Sequence, residues 1–505
     1  MKSKIIIALL LLATLALAGW ERTYGGSYGD YCTVAAQTAD GGFIVAGNTN
    51  SFGGGEYPNI YLLRLDENGD TLWTRTYYHE GPASLASLVI TSDGGYLLCC
   101  VKNGWYYPHG IDIYLIKTNS SGDTLWTKTY GGLDDDYGND LIEFSGGGYF
   151  VCGYTKSFSS GDYDVYLLRL DLDGDTIWTR TYGSDLDDHA YAIRETYDNK
   201  LIITGTVSSL YTSSDIFLLK VDGAGDSLWS YTYGYIYTDE FAVEYAHDVI
   251  QTSDSGFIIA GGGTNPDEYY DFNSFLVKTD SVGSFIWTYE FGDYHTDCAS
   301  AVVESEEGDF IIYGAKESTT VTESRDLYLL KIDSGGDTLW CRYFGGDDSD
   351  TPATMLQTAD GGYILSAFSS SFGLYDDIDI YLIKTDSLGY TGIEENPPST
   401  KPEAFAISAY PNPFNSAVSI IVDCHSRENG NPEIEIYDIN GRIVTPSTPL
   451  DRGEHGKSPL SKGDLGGLFV WTPAPALGSG VYLVRATICE QATSAVCTKR
   501  VVYLK

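Results

Sequence analysis

The run from Asp70 to Tyr77, Asp-Thr-Leu-Trp-Thr-Arg-Thr-Tyr, constrains this chain more than any other stretch. Trp20, Trp73, Trp126, Trp178, Trp229, Trp287 and Trp340 open seven copies of it, 51 to 58 residues apart. A period of about 50 residues built from strand-like pieces marks a repeat architecture, and a β-propeller is the leading candidate. One unit runs from Trp126 to Ile177. Trp126 to Tyr130 alternates large and polar residues, as a strand does. A second piece lies near Asp140 to Phe144. The third, Tyr149 to Tyr154, is nearly all apolar and is expected to be buried on both faces. The fourth spans Asp164 to Leu170, and Asp171-Leu-Asp-Gly-Asp175 makes a tight connection into the next Trp strand. Four strands joined as a meander are what one propeller blade requires.

The ends of the repeat array fit each other. The first copy, Trp20 to Tyr24, is a Trp strand with no preceding partner. The last copy stops at Asp386-Ser-Leu-Gly389 without supplying one. The N-terminal strand is therefore expected to complete the seventh blade and remove the edge that an open array exposes. The competing arrangement is an open solenoid of six full units. The expected fold is all-β: a seven-bladed propeller over residues 19–392, followed by a small β-sandwich.

Residues 1–18 read as a secretory signal peptide. Lys2 and Lys4 precede an apolar run, and Ala16-Leu-Ala18 supplies small residues for cleavage. The competing reading is a membrane anchor. No later segment approaches the ~20 apolar residues of a spanning helix, so no membrane span is expected after cleavage. The net charge of −40 disfavours nucleic acid and anionic membranes as partners. It tolerates cations and neutral glycans and suits a soluble extracellular monomer. Among nine cysteines, Cys99 and Cys152 stand where other repeats carry Ala46 or Ala260, so a small buried residue is wanted there. Cys489 and Cys497 flank a short polar segment and are candidates for a hairpin disulfide in an oxidising compartment. No spacing suits a zinc site.

Residues 393–403 form a Pro-rich linker, with Pro397, Pro398 and Pro402. Residues 404–505 follow as the second domain. Its segments are Tyr410-Pro-Asn-Pro-Phe-Asn415, Tyr437-Asp-Ile-Asn-Gly-Arg442, Ser479-Gly-Val-Tyr-Leu-Val484 and Lys499-Arg-Val-Val-Tyr-Leu-Lys505. In this order they resemble the C-terminal sorting domains of bacterial type IX secretion cargo, and the related Ig-like domain of the flagellar hook-capping family. The resemblance implies an Ig-like sandwich that engages the secretion machinery and directs surface attachment, and that does no catalysis. Cys424 to Pro432 and Thr445 to Gly466 depart from the pattern as polar insertions. The repeats themselves are similar to the bacterial β-propeller repeat of secreted and surface proteins, through their Trp…Tyr-Gly-Gly, Asp-Gly-Gly-Tyr and Asp-Ile-Tyr-Leu-Ile-Lys elements. That likeness implies fold rather than activity.

Two acidic registers recur. Four residues past the second Gly of Tyr-Gly-Gly, or its equivalent, stand Asp30, Asp136, Asp188, Asp239, Asp297 and Asp350; the second unit has Ala83. These acids precede the strand expected to be innermost and could ring one mouth of the channel. Hard oxygen ligands suit calcium, which makes them candidate calcium ligands. The alternative is turn capping, each Asp accepting backbone N–H bonds. The second register is Asn59, Asp112, Asp164, Asp215, Asn273, Asp326 and Asp379, read as caps. The Asp-x-x-Gly-Asp connections lack EF-hand spacing and are read as hairpin turns. No catalytic residue and no cofactor other than calcium is proposed from the sequence. His189 and His295 lie near the acidic register of two blades without a Ser or Cys motif. The expected function is a non-catalytic extracellular binding or scaffold module meeting protein or glycan through one propeller face. The alternative is an extracellular hydrolase or lyase acting on polysaccharide or peptide. A cluster of His, Tyr and carboxylates drawn from only two or three blades would favour the enzyme.

Overall fold

The computed structural model describes residues 19–391 except for loop segments 55–56, 80, 104–109, 209–213, 235–243, 265–271, 292–296, 318–323 and 373–376, together with the backbone of six strands beyond residue 404. The expected signal peptide and linker lie outside the described residues. The chain divides into two compact units, Met1–Gly392 and Ile393–Lys505.

The first unit is a seven-bladed propeller of four-stranded antiparallel sheets. Blade one contains Asp30–Gln37, Phe43–Thr49, Asn59–Leu65 and Thr71–Tyr77, hydrogen-bonded in that order. The second and third strands are buried along their whole length, as their apolar composition requires. The Trp strand is outermost and alternates exposed with half-buried residues. The remaining blades repeat this order.

Blade seven is made from both ends of the array. Trp20–Tyr24 pairs antiparallel with Asp379–Thr385, setting Trp20 opposite Lys384 and Tyr24 opposite Ile380. The same strand also grips blade one. Trp20 Nε1 donates to the Glu67 carbonyl at 3.2 Å, Tyr24 Oη donates to the Gly69 carbonyl at 2.7 Å, and the Trp20 ring meets Phe43 edge-on. This grip is the general rule of the ring. Tyr77, Tyr130, Tyr182 and Tyr233 each donate to the glycine carbonyl of the next blade's outer turn at 2.6–2.7 Å. Trp73, Trp229 and Trp287 pack against Tyr96, Phe257 and Phe310 of the following blade. The Trp-to-Tyr signature is thus a blade-to-blade clasp. The hydrophobic cores lie between blades: Ile44, Ile60 and Leu62 of blade one pack with Leu85, Leu88 and Leu98 of blade two, and the same arrangement recurs at every junction.

The outer turns follow their sequence. Asp66 Oδ1 accepts from the backbone N–H groups of Asn68 and Asp70, and Gly69 takes the left-handed conformation with φ +81°. The carboxylate is consumed by its own turn.

In the second unit, Phe405–Tyr410, Val418–Cys424 and Gly467–Trp471 form one three-stranded sheet, and Glu433–Asp438, Gly480–Cys489 and Ser494–Tyr503 form another. The hairpin register does not fit the candidate disulfide. Cys489 stands opposite Ser494, and Cys497 stands opposite Ala486. The two cysteines are three positions apart along the ladder, beyond the ~7 Å Cα separation that a bridge tolerates.

Candidate functional site

Asp30, Asp136, Asp188, Asp297 and Asp350 each open the innermost strand of a blade, and all are buried. Ala83 holds the same place in blade two. Asp239 lies outside the described residues, and Glu244 opens the innermost strand of blade five instead. The interval from Trp229 to Trp287 is 58 residues rather than 53. The extra residues precede the strand, so counting from the tyrosine stops short of it.

The side chains turn into the blade junctions instead of ringing an open mouth. Asp30, Asp136 and Asp188 accept the backbone N–H four residues earlier, from Gly26, Gly132 and Ser184, at 2.6–2.8 Å. Asp350 does the same with Gly346 at 3.1 Å. Asp136 also accepts from the hydroxyls of Thr155 and Ser157. The second register meets the first here. A Cβ on Gly25 would clash with both Asp379 and Asp30, and one on Gly131 with both Asp112 and Asp136. The glycine of Tyr-Gly is required because its backbone passes between two carboxylates of consecutive blades. Burial raises the pKa of Asp188, and the nearby Asp164 carboxylate adds to the rise. Among the described residues no group of three or more His, Cys, Asp and Glu side chains converges as metal ligands would.

Departures from the repeat gather in the channel wall of blades three to five. Innermost strands of neighbouring blades adjoin one another around the ring. Their second and fourth residues alternate with buried ones and are open to the lumen. In blades three to five these are Tyr137, Asn139, His189, Tyr191, Tyr245 and His247. In blades six, seven and two they are small: Cys298, Ser300, Thr351, Ala353, Ser84 and Ala86; blade one carries Tyr31 and Thr33. Rings are therefore densest at this register in blades three to five.

The aromatic wall has a packed backing. Tyr137 stacks on its cross-strand partner Tyr154 with ring centroids 4.5 Å apart. His189 of the next blade lies on the other side of Tyr154 at 4.1 Å, and Tyr163 meets these rings edge-on. Tyr163 Oη donates to Asp135 Oδ2 at 3.2 Å; burial, then Asp135, pushes its pKa up to about 12. Burial lowers the pKa of His189 despite Asp187 nearby, so the ring is neutral at pH 7. Its Nε2 is buried with no hydrogen-bond partner, while Nδ1 stands 3.5 Å from Tyr191 Oη. His295 lies outside the described residues.

Deeper in the same wall, Arg194 of blade four bridges Asp140 of blade three at 2.5 Å and Asp248 of blade five at 2.6 Å. Asp140 also accepts from Ser87 Oγ of blade two, and Asp248 from the Val302 N–H of blade six. One guanidinium thus anchors a polar strut across five consecutive blades. None of these three residues was singled out from sequence. The available signal was aligned position: where Arg194 stands, the other blades carry Ala36, Val89, Ile142, Ile250, Val303 and Leu356.

Residues 408–462 match the secretion system C-terminal sorting domain family. This domain makes the protein a secreted or cell-surface one and implies engagement of the type IX secretion machinery. The regulatory protein FlaEY of Caulobacter vibrioides is 23% identical over 184 residues, which cover 31% of this chain and 18% of that protein. The chain therefore spans less than a fifth of that relative's length. Solved structures with related geometry include a protein of unknown function from Dyadobacter fermentans, at 10% identity and TM-score 0.44 over 72% of this chain and 98% of that one. A puromycin hydrolase aligns at 13% identity and TM-score 0.45 over 78% of this chain and 58% of that one. A fungal alcohol oxidase in complex with copper aligns at 13% identity and TM-score 0.42, covering 96% and 99%.

Proposed function

We propose that this protein is a non-catalytic binding or scaffold module that works outside the cell. The propeller contacts protein or glycan, and the C-terminal domain, an Ig-like sandwich of its two sheets, directs secretion and surface attachment. The observation that carries this reading is a set of exposed apolar side chains at one end of the propeller strands. Exposed Tyr28, Tyr78 and Leu133, in the loops entering innermost strands, and Phe52 and Phe158, in the loops after second strands, add apolar contact area at that end of the strands. The test is a binding screen of the purified propeller against immobilised glycans and extracellular proteins. A blank screen for both classes would remove the reading.

The asymmetry also serves the hydrolase or lyase alternative, since His, Tyr and carboxylates come from few blades. Against it, the unpartnered Nε2 of His189 is sealed from solvent, and the phenol of Tyr163 is held protonated. Release of reducing ends or peptides from the same panel, abolished by His189→Ala, would establish the enzyme instead.

The acidic register is proposed to cap turns. Asp136→Ala should cost about 0.5–2 kcal/mol, by analogy with lost caps at helix ends. Asp136→Ala and Asp350→Ala together should cost the sum, because the junctions are separate. If the register held one calcium ion, the first substitution would remove most calcium dependence of the melting temperature and the second would add little. Urea melts of single and double variants, with calcium and with chelator, separate these outcomes.

For the tail, a reporter fused to residues 404–505 should reach the surface of a type IX host. Retention in the periplasm would mean that the polar insertions have inactivated the signal.

A further inference from the structure

We infer that the aromatic wall of blades three to five is a subsite for neutral sugar rings. This rests on the binding reading above and names its ligand class. The wall has the elements such a ligand uses. Tyr245 is 36% exposed and His247 is also open to the lumen, so flat ring surfaces are presented to it. A pyranose has an apolar face of C–H groups and a rim of hydroxyls, and an aromatic ring with a polar tip matches both. Tyr191 and Tyr245 bring phenols, His247 brings an imidazole, and Asn139 is fixed by donating to the Ala190 carbonyl at 2.7 Å.

The charge pattern selects the ligand. Arg194 adjoins the wall, but it is held between two carboxylates and offers no free cation to an acidic sugar. Desolvation by burial lowers the pKa values of both histidines, so neither offers a cation at neutral pH. A chain of net charge −40 also repels polyanions. In blade three the wall is held in place by the packed Tyr137, Tyr154 and Tyr163, so little freedom is lost when a ligand contacts it there.

The experiment uses the propeller within the full mature chain. Cello-, xylo-, malto- and chito-oligosaccharides are the probes in titration calorimetry. At least one should bind. Tyr245→Ala and His247→Ala should each weaken that binding by roughly tenfold, the scale of a lost stacking partner. Tyr28→Ala and Tyr78→Ala, on the loops, should leave the affinity intact. Loss through the loop variants, with the channel variants unaffected, would overturn the subsite and leave the binding function standing. A lysine-rich peptide that binds in place of every saccharide and is lost with Tyr245→Ala would overturn the ligand class. Failure of all saccharides, with an extracellular protein captured independently of Tyr245, would overturn the inference and keep the broader reading.

Discussion

A chain lacking residues 19–24 should lose far more stability than any point variant of the propeller. The deletion leaves the seventh blade with three strands and strips the pairing from Asp379–Thr385. It also releases blade one, because Trp20 and Tyr24 no longer hold the turn at Glu67 and Gly69. Truncating one fully buried aromatic side chain costs about 3–5 kcal/mol, and the half-buried Trp20 and Tyr24 each fall somewhat below that. Here two aromatics, a ladder of backbone hydrogen bonds and ring closure go together, and an edge strand is exposed to other chains. The expected result is a large drop in the urea midpoint, with aggregation at low denaturant. A deletion variant that melts like the parent would mean that the strand is an ornament on a ring closed by other means.

The second large effect is expected at Arg194. Arg194→Met leaves Asp140 and Asp248 in the channel wall without their shared cation. Removing one partner of a buried ion pair costs about 3–5 kcal/mol, and the lower figure applies because the arginine side chain is 38% exposed to channel water. The loss carries a pH signature. Asp248 already has a raised pKa, set by burial and opposed by Arg194. Without the arginine it rises further. A carboxylate with a raised folded pKa penalises the fold above that pKa, and the penalty fades through the folded pKa and vanishes below the unfolded value, under pH ~4. The deficit of Arg194→Met relative to the parent should therefore shrink as pH falls from 7 toward that value. Replacing Asp140, Arg194 and Asp248 together by apolar residues should recover most of the stability. A deficit that stays constant with pH would show that lost packing, not stranded charge, is the cause.

The architecture was legible because each clasp consists of residues at fixed spacing in the repeat. Trp20 without a preceding unit and Asp379–Thr385 without a following Trp strand announced the closure. The site was less legible, since its elements are exceptions to the repeat. Arg194 reads as one more surface arginine until the strand ladder places it where six blades carry aliphatic residues. Glu244 was missed because the blade-five insertion shifts the count from tyrosine to acid, and a register in a β-strand is set by pairing rather than by distance from a landmark. The acids were placed correctly at the strand openings of five blades, yet their direction was not readable. It depends on glycines of the preceding loop, through which two carboxylates approach one backbone. The cysteines of the last hairpin show the same limit, because a turn of unknown length leaves the opposing residue undefined.

The pairing of Trp20 with Lys384 also sets a timetable. A ribosome or a secretion channel delivers the chain from its N-terminus, so the strand that must finish the ring emerges first and its partner last. Blades one to six can assemble as their repeats appear, each laid against the one before. The opening strand has to wait, unpaired, through the synthesis of the whole array. The ring cannot lock before the seventh repeat is complete, and a truncated chain lacks the seam that would close it. Closure is thus a check that the entire array has been delivered, made at the step that joins its two ends.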